Sequence, residues 1–245
     1  LAAAFTGGAF IFPTFHIYVP AIICGAFAIV CVLYWLWTST AQIPEEPMGD
    51  VGLDLKLPRY ASGSDAPGWW AVWITMLGDA TAFASLVFGF FFYWTASDNF
   101  PPQNATHANG TMVAAFAVLL SLSWVATRVA RGVHRGGNVT LGRLLMAASI
   151  ALTLAGGAAV YGAVSQLGPT EHVYPALICG LAVWLGAHLM LGVIGQGYCL
   201  ARSLADKMTP LYDADLQNVT LLWHFIALQS LVTAAVIGLL PGWMS

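Results

Sequence analysis

Residues 69–94 read WWAVWITMLGDATAFASLVFGFFFYW. Asp79 is the one charged side chain in these 26 residues. A helix rises about 1.5 Å per residue, so the stretch outruns the roughly 30 Å hydrocarbon core of a bilayer. Its apolar run is continuous and does not alternate, which reads as a spanning helix and not a barrel strand. Working outward, six further stretches qualify: 1–18, 21–38, 112–130, 140–165, 173–200 and 216–240, with the quoted span taken as 69–95. Pro13 falls within the first of these and Pro20 between the first two.

Composition agrees. The 245 residues are 59% hydrophobic and 8% charged, with a mean hydropathy of +0.76. A soluble domain is about 25% charged, and so few charges cannot coat a soluble globule of this size. Disorder is excluded because disordered chains are poor in apolar residues. The net charge of −3 leaves no nucleic-acid footprint.

The basic residues orient the spans. Lys56 and Arg59 fall between spans two and three. Arg128, Arg131, Arg135 and Arg143 fall between or at the ends of spans four and five, and Arg202 and Lys207 between six and seven. All eight are expected in loops or at span ends on one side, and the positive-inside rule makes that side cytoplasmic. Seven spans then leave the N-terminus inside and the C-terminus outside. Trp35, Trp37, Trp69, Trp70, Trp94, Trp223 and Trp243 lie mostly near expected span ends, at the headgroup level that amphipathic rings prefer. The organisation expected is a two-helix hairpin (1–38), a cytoplasmic linker (39–68) and a five-helix bundle (69–245). The chain opens on Leu1 with no basic leader, and is expected to be a processed product or the tail of a longer polypeptide.

Asp79 stands ten residues from Trp69, about 15 Å along a helix and near mid-bilayer. An acid there costs about 2.5–3.5 kcal/mol on insertion scales. No Lys or Arg stands at that depth. Two readings stay open: a protonated Asp bonded to a neighbouring helix, or a site on a proton, gas or lipid pathway. His188 in span six and His224 in span seven read first as interhelical hydrogen-bonding contacts. No span carries paired histidines for stacked haems. His16, His107, His134 and His172 are expected in or near loops. Cys24, Cys31, Cys179 and Cys199 form no CxxC pair and read as buried small hydrophobes. Ser149, Thr153 and Gly157 repeat every four residues in span five, a spacing that lets helices approach closely. The residues alone describe an all-α membrane bundle with one buried acid and no redox centre.

The pattern resembles subunit III of the haem–copper oxidases, chiefly cytochrome c oxidase. Gly78-Asp79 followed by AFASLVFGFFFYW is similar to that family's third-span acid, usually Glu, with its aromatic-rich tail. His188 with Leu189-Met190-Leu191-Gly192 is similar to its sixth-span His. Trp223-His224-Phe225 is similar to the Trp-His-Phe of its last span. The linker DVGLDLKLPRYASGSDAPGWWAVW further resembles polypeptides in which subunits I and III are fused. The resemblance covers nearly the whole chain. It departs at two family acids: Ala158, Ala159, Val160 and Tyr161 fill the fifth-span region, and Ile226 and Ala227 follow the Trp-His-Phe.

What the resemblance implies is an accessory, non-catalytic role in aerobic respiration in a bacterial inner membrane. The chain would bind no haem or copper, these residing in partner subunits I and II, and would hold structural phospholipids in a cleft between hairpin and bundle. It would support oxygen entry and proton uptake by subunit I. Asp79 would take the buried-acid position, with His188, Trp223 and His224 as polar helix-interface or cleft residues. Quinol oxidase and nitric-oxide-reductase systems share this pattern. A proton-linked transporter using Asp79 is the reading from a different class, although repeat symmetry and further intramembrane ions are not visible.

Overall fold

A computed structural model describes residues 1–38, 48–58 and 63–240. Arg59, Trp243 and much of the expected linker lie outside the described residues. The chain divides into two compact units, Leu1–Glu46 and Pro47–Ser245.

The first unit holds α1 (Ala2–Thr14) and α2 (Tyr18–Thr38). The backbone N–H groups of Phe15 and Ile17 donate to Phe12, and that of His16 to Pro13, closing a tight turn. His16 sits at φ +59°, a left-handed conformation that a helix cannot continue through. Pro20 falls in the first turn of α2, where its missing N–H is one of the four a helix start leaves free. The two helices meet through the stacked rings of Phe5 and Phe27, 5.2 Å apart. At 13 residues α1 is about 20 Å long, too short for the hydrocarbon core. The expected seven spans are thereby corrected: six described helices are long and apolar enough to cross a membrane, and the first expected span is the shorter α1.

The second unit begins with a β-hairpin, β1 (Met48–Asp50) against β2 (Lys56–Pro58), antiparallel with Gly49 opposite Leu57. Its turn places Gly52 at φ +88°, and the Gly52 N–H donates to the Asp50 carboxylate at 2.8 Å. Part of the expected linker is thus ordered. Five helices follow: α3 (Pro67–Ala96), α4 (Gly110–Arg135), α5 (Val139–Val164), α6 (Val173–Leu204) and α7 (Ala214–Ala234), the last running on through a π-helical turn to Leu239. Asn109 and Asn138 cap α4 and α5 by accepting from the N–H groups of Met112 and Leu141.

The core is organised on α4 and α5. The buried positions of α4 are 113, 116, 120, 123, 127, 130 and 134, alternating steps of three and four. Those of α5 include 142, 146, 149, 153, 156, 160 and 163, the same alternation. Two antiparallel helices with this 3.5-residue repeat mesh along a narrow seam. Every seventh residue on the α5 side is small: Gly142, Ser149, Gly156, Ala163. A Cβ added at Gly156 would lie 2.5 Å from Leu120 Cδ2, and one at Gly142 would lie 3.3 Å from the Ala130 carbonyl oxygen. The backbones therefore approach closely at Gly142, and Gly156 makes room for the Leu120 side chain. The tight glycine is Gly156, whereas Gly157 of the expected small-residue repeat faces Leu189 at an ordinary 3.8 Å.

Overfilling a packed seam costs about 1–3 kcal/mol. Gly156→Val is expected to lower unfolding stability in detergent by that amount, while Gly157→Ala is expected to be neutral or slightly stabilising. Equal unfolding midpoints for Gly156→Val and the parent chain would refute the seam.

Candidate functional site

Asp79 projects from the middle of α3, and the structure brings it to His188 on α6. The carboxylate Oδ2 lies 3.5 Å from His188 Nε2, a long polar contact. The other ring nitrogen fixes the orientation of the imidazole. His188 Nδ1 stands 3.0 Å from the Trp184 carbonyl oxygen, which only accepts, so Nδ1 carries a hydrogen. Nε2 is thereby left to face the Asp79 carboxyl. The contact gives the acid a polar partner on α6 at a depth where no Lys or Arg stands.

Packing holds the imidazole in place. Trp184 lies tilted against it at 5.0 Å between centroids, and Phe225 of α7 meets the ring edge-on at 6.0 Å. The His188 side chain is 7% exposed and that of Asp79 is 34% exposed. The pair therefore joins α3, α6 and α7 at mid-depth and leaves a third of the Asp79 side chain uncovered.

The other two expected site residues stand apart from this pair. Trp223 is fully buried, with Gly192 of α6 against its ring: a Cβ there would lie 3.1 Å from the indole. It is an α6–α7 packing residue, a correction to its expected place near a span end. His224 donates from Nδ1 to the Thr220 carbonyl at 2.6 Å and meets Trp124 of α4 edge-on. It also lines an apolar hollow of about 440 Å³ with Trp73, Met76 and Leu77 of α3.

Ser149 and Thr153 join Ser123, Thr127 and Gln196, which sequence reading left aside, in a second polar layer. Ser123 Oγ donates to the Ser149 carbonyl at 2.9 Å, and its oxygen lies 2.8 Å from Thr153 Oγ1. Gln196 of α6 donates to Thr127 Oγ1 at 2.9 Å and its carbonyl lies 3.3 Å from Thr153 Oγ1. The fourfold spacing of Ser149 and Thr153 was the visible signal, but it gave no hint of Gln196.

Basic residues gather at one end of this unit. Arg128, Arg131 and Arg135 lie on the last turns of α4, Arg143 on the first turn of α5 and Arg202 on the last of α6. They sit on helices, not in loops: Arg128, Arg131, Arg135 and Arg202 lie towards helix C-termini, which favour cations, whereas Arg143, near the N-terminus of α5, is held by Asp206 and Ser203. Arg131 pairs with the buried Asp213 at 3.0 Å, Arg202 with Asp215 at 3.2 Å and Arg143 with Asp206 at 2.9 Å. His134, expected near a loop, is instead fully buried on α4 against Gly142. Its place in the 3.5-residue seam explains this. His107 remains in a loop, bonded through Nδ1 to the Tyr174 hydroxyl at 2.7 Å, and His172 caps α6 by accepting from the Tyr174 N–H. Among the described residues, no three His, Cys, Asp or Glu side chains stand close enough to hold a metal ion.

Interhelical polar contacts in membranes contribute about 0.6 kcal/mol on average, up to about 1.7. A double-mutant cycle of Asp79→Leu and His188→Leu is expected to give a coupling of that order in detergent unfolding. Asp79→Asn should cost less than Asp79→Leu, because its amide can keep a polar contact with His188 Nε2. A coupling of zero would refute the contact.

No protein-family model matches this chain. The comparison with curated proteins likewise gives no match, so any functional reading rests on the residues themselves.

Proposed function

We propose that the chain is an accessory, non-redox subunit of a haem–copper oxidase, similar to subunit III of cytochrome c oxidase. The observation that carries the reading is the meeting of Asp79 and His188. They are the third-span acid and the sixth-span histidine on which the resemblance rests, 109 residues apart in the chain and 3.5 Å apart in space. The uncovered third of Asp79 is a second support. Intramembrane acids normally face protein or a watered cavity, so a carboxyl left part-exposed at this depth calls for a neighbouring surface. In this reading the neighbour is the catalytic subunit I, accompanied by subunit II. The reading carries with it structural phospholipids in the expected cleft, support of oxygen entry and proton uptake, and a bacterial inner membrane with the basic end cytoplasmic. Haem and copper belong to the partners. Electron entry from cytochrome c or from quinol is decided there too.

In this reading Asp79 and His188 tune the surroundings of the partner without handling electrons.

Affinity purification of the chain from its native membranes in mild detergent is expected to bring haem absorbance with it. Asp79→Asn is expected to leave that absorbance intact and to shorten the active lifetime of the complex during turnover. A colourless, monodisperse chain would overturn the proposal in favour of a proton-linked transporter.

A further inference from the structure

Along the outer face of α4, Trp124, Arg128, Arg131 and Arg135 follow one another at steps of four, three and four, and so share one stripe. They line an open groove of about 480 Å³ between α4 and Thr220 of α7. Val125 and Val129 lie beside the arginines in the same groove, both about half exposed. The groove is therefore apolar at one end and cationic at the other. Trp124 to Arg135 is 11 residues, about 16 Å, which carries the stripe from the hydrocarbon into the headgroup layer.

The charge is not internally cancelled. Asp213 accepts from Arg131 Nε at 3.0 Å and lies 3.8 Å from Arg135 Nε. It is the one carboxylate paired with this stripe among the described residues, and no ion pair holds Arg128. Three guanidinium groups against one carboxylate leave two positive charges facing the groove. Asp213 is 1% exposed and is committed to orienting Arg131. Gly132, between the arginines, meets nothing within 4 Å, so the floor of the groove stays open.

We infer that this groove binds the phosphate headgroup of an anionic phospholipid, with an acyl chain laid along Val125, Val129 and Trp124. Guanidinium groups are suited to phosphate because their paired N–H donors match its oxygens. The apolar half favours an amphiphile over free phosphate. The inference needs only that the chain crosses a bilayer, so it stands or falls separately from the oxidase reading.

The test uses the full chain in nanodiscs of equal phosphatidylglycerol and phosphatidylcholine, released into detergent and weighed by native mass spectrometry. The expected result is preferential retention of phosphatidylglycerol, falling about tenfold or more in R128Q/R135Q, since each basic residue at an anionic surface is worth about 1 kcal/mol. Arg131 is kept so that Asp213 stays paired. Val129→Trp, which fills the groove without altering its charge, should also release the lipid, while Lys56→Gln, a loss of positive charge elsewhere, should not. Equal retention of the two lipids, undiminished retention in R128Q/R135Q or in Val129→Trp, or displacement of the lipid by millimolar inorganic phosphate would each overturn the proposal. Unchanged unfolding midpoints confirm that the variants fold.

Discussion

The close approach of α4 and α5 is the constraint from which the rest of the bundle follows. Lipid tails are as apolar as leucine, so no hydrophobic force draws two spanning helices together, and association depends on packing and interhelical hydrogen bonds. Gly142, Ser149, Gly156 and Ala163 remove side-chain bulk once per heptad. The backbones can then come near enough for Ser123 Oγ to reach the Ser149 carbonyl. A bulkier residue at 156 would separate the helices, and that hydrogen bond would be lost with the contact.

Once that hairpin is set, α6 has one place to go. Gln196 engages Thr127 and Thr153, one side chain on each member of the pair. An amide buried in a span has few alternatives, which fixes both the rotation and the depth of α6. Eight residues towards the N-terminus, about 12 Å along the axis, His188 lies on the same buried stripe. Its position at mid-membrane is thus inherited from the Gln196 anchor. The histidine in turn holds α3, whose buried face is otherwise sparse, limited to Met76, Phe83 and Phe90.

Much of this fold was legible in the sequence, for physical reasons that also mark where reading stopped. Spans announce themselves because a bilayer demands about 20 apolar residues in a row, and Asp79 stood out because an ion in such a run is costly. His188 stood out too, but not as its partner. A lone histidine in a span carries no mark of which helix it faces, and a contact across 109 residues has no periodic signature. The α4–α5 seam was half visible: the four-residue repeat was noticed, but hydropathy does not separate a small residue that admits a neighbour from one that faces lipid, so Gly157 was taken where Gly156 does the packing. The first span was drawn too long because composition stays apolar through Phe15 and Ile17 while the backbone reverses at His16. The arginines were expected at loops or span ends because a charge closes an apolar window, although the helix itself continues for two more turns.

The two polar layers differ in a way that bears on what the chain does. The layer of Ser123, Thr127, Ser149, Thr153 and Gln196 is fully buried, and its distances run from 2.8 to 3.3 Å. It satisfies itself and has no need of a second molecule. The Asp79–His188 contact is longer and half open, with the histidine bound firmly on its far side to Trp184 and the carboxyl held loosely on the near side. A group built only to join helices would be expected to resemble the first layer. The asymmetry of the second, a fixed imidazole presenting one nitrogen to a partly uncovered acid, instead suits a carboxyl that completes its contacts with something outside this bundle.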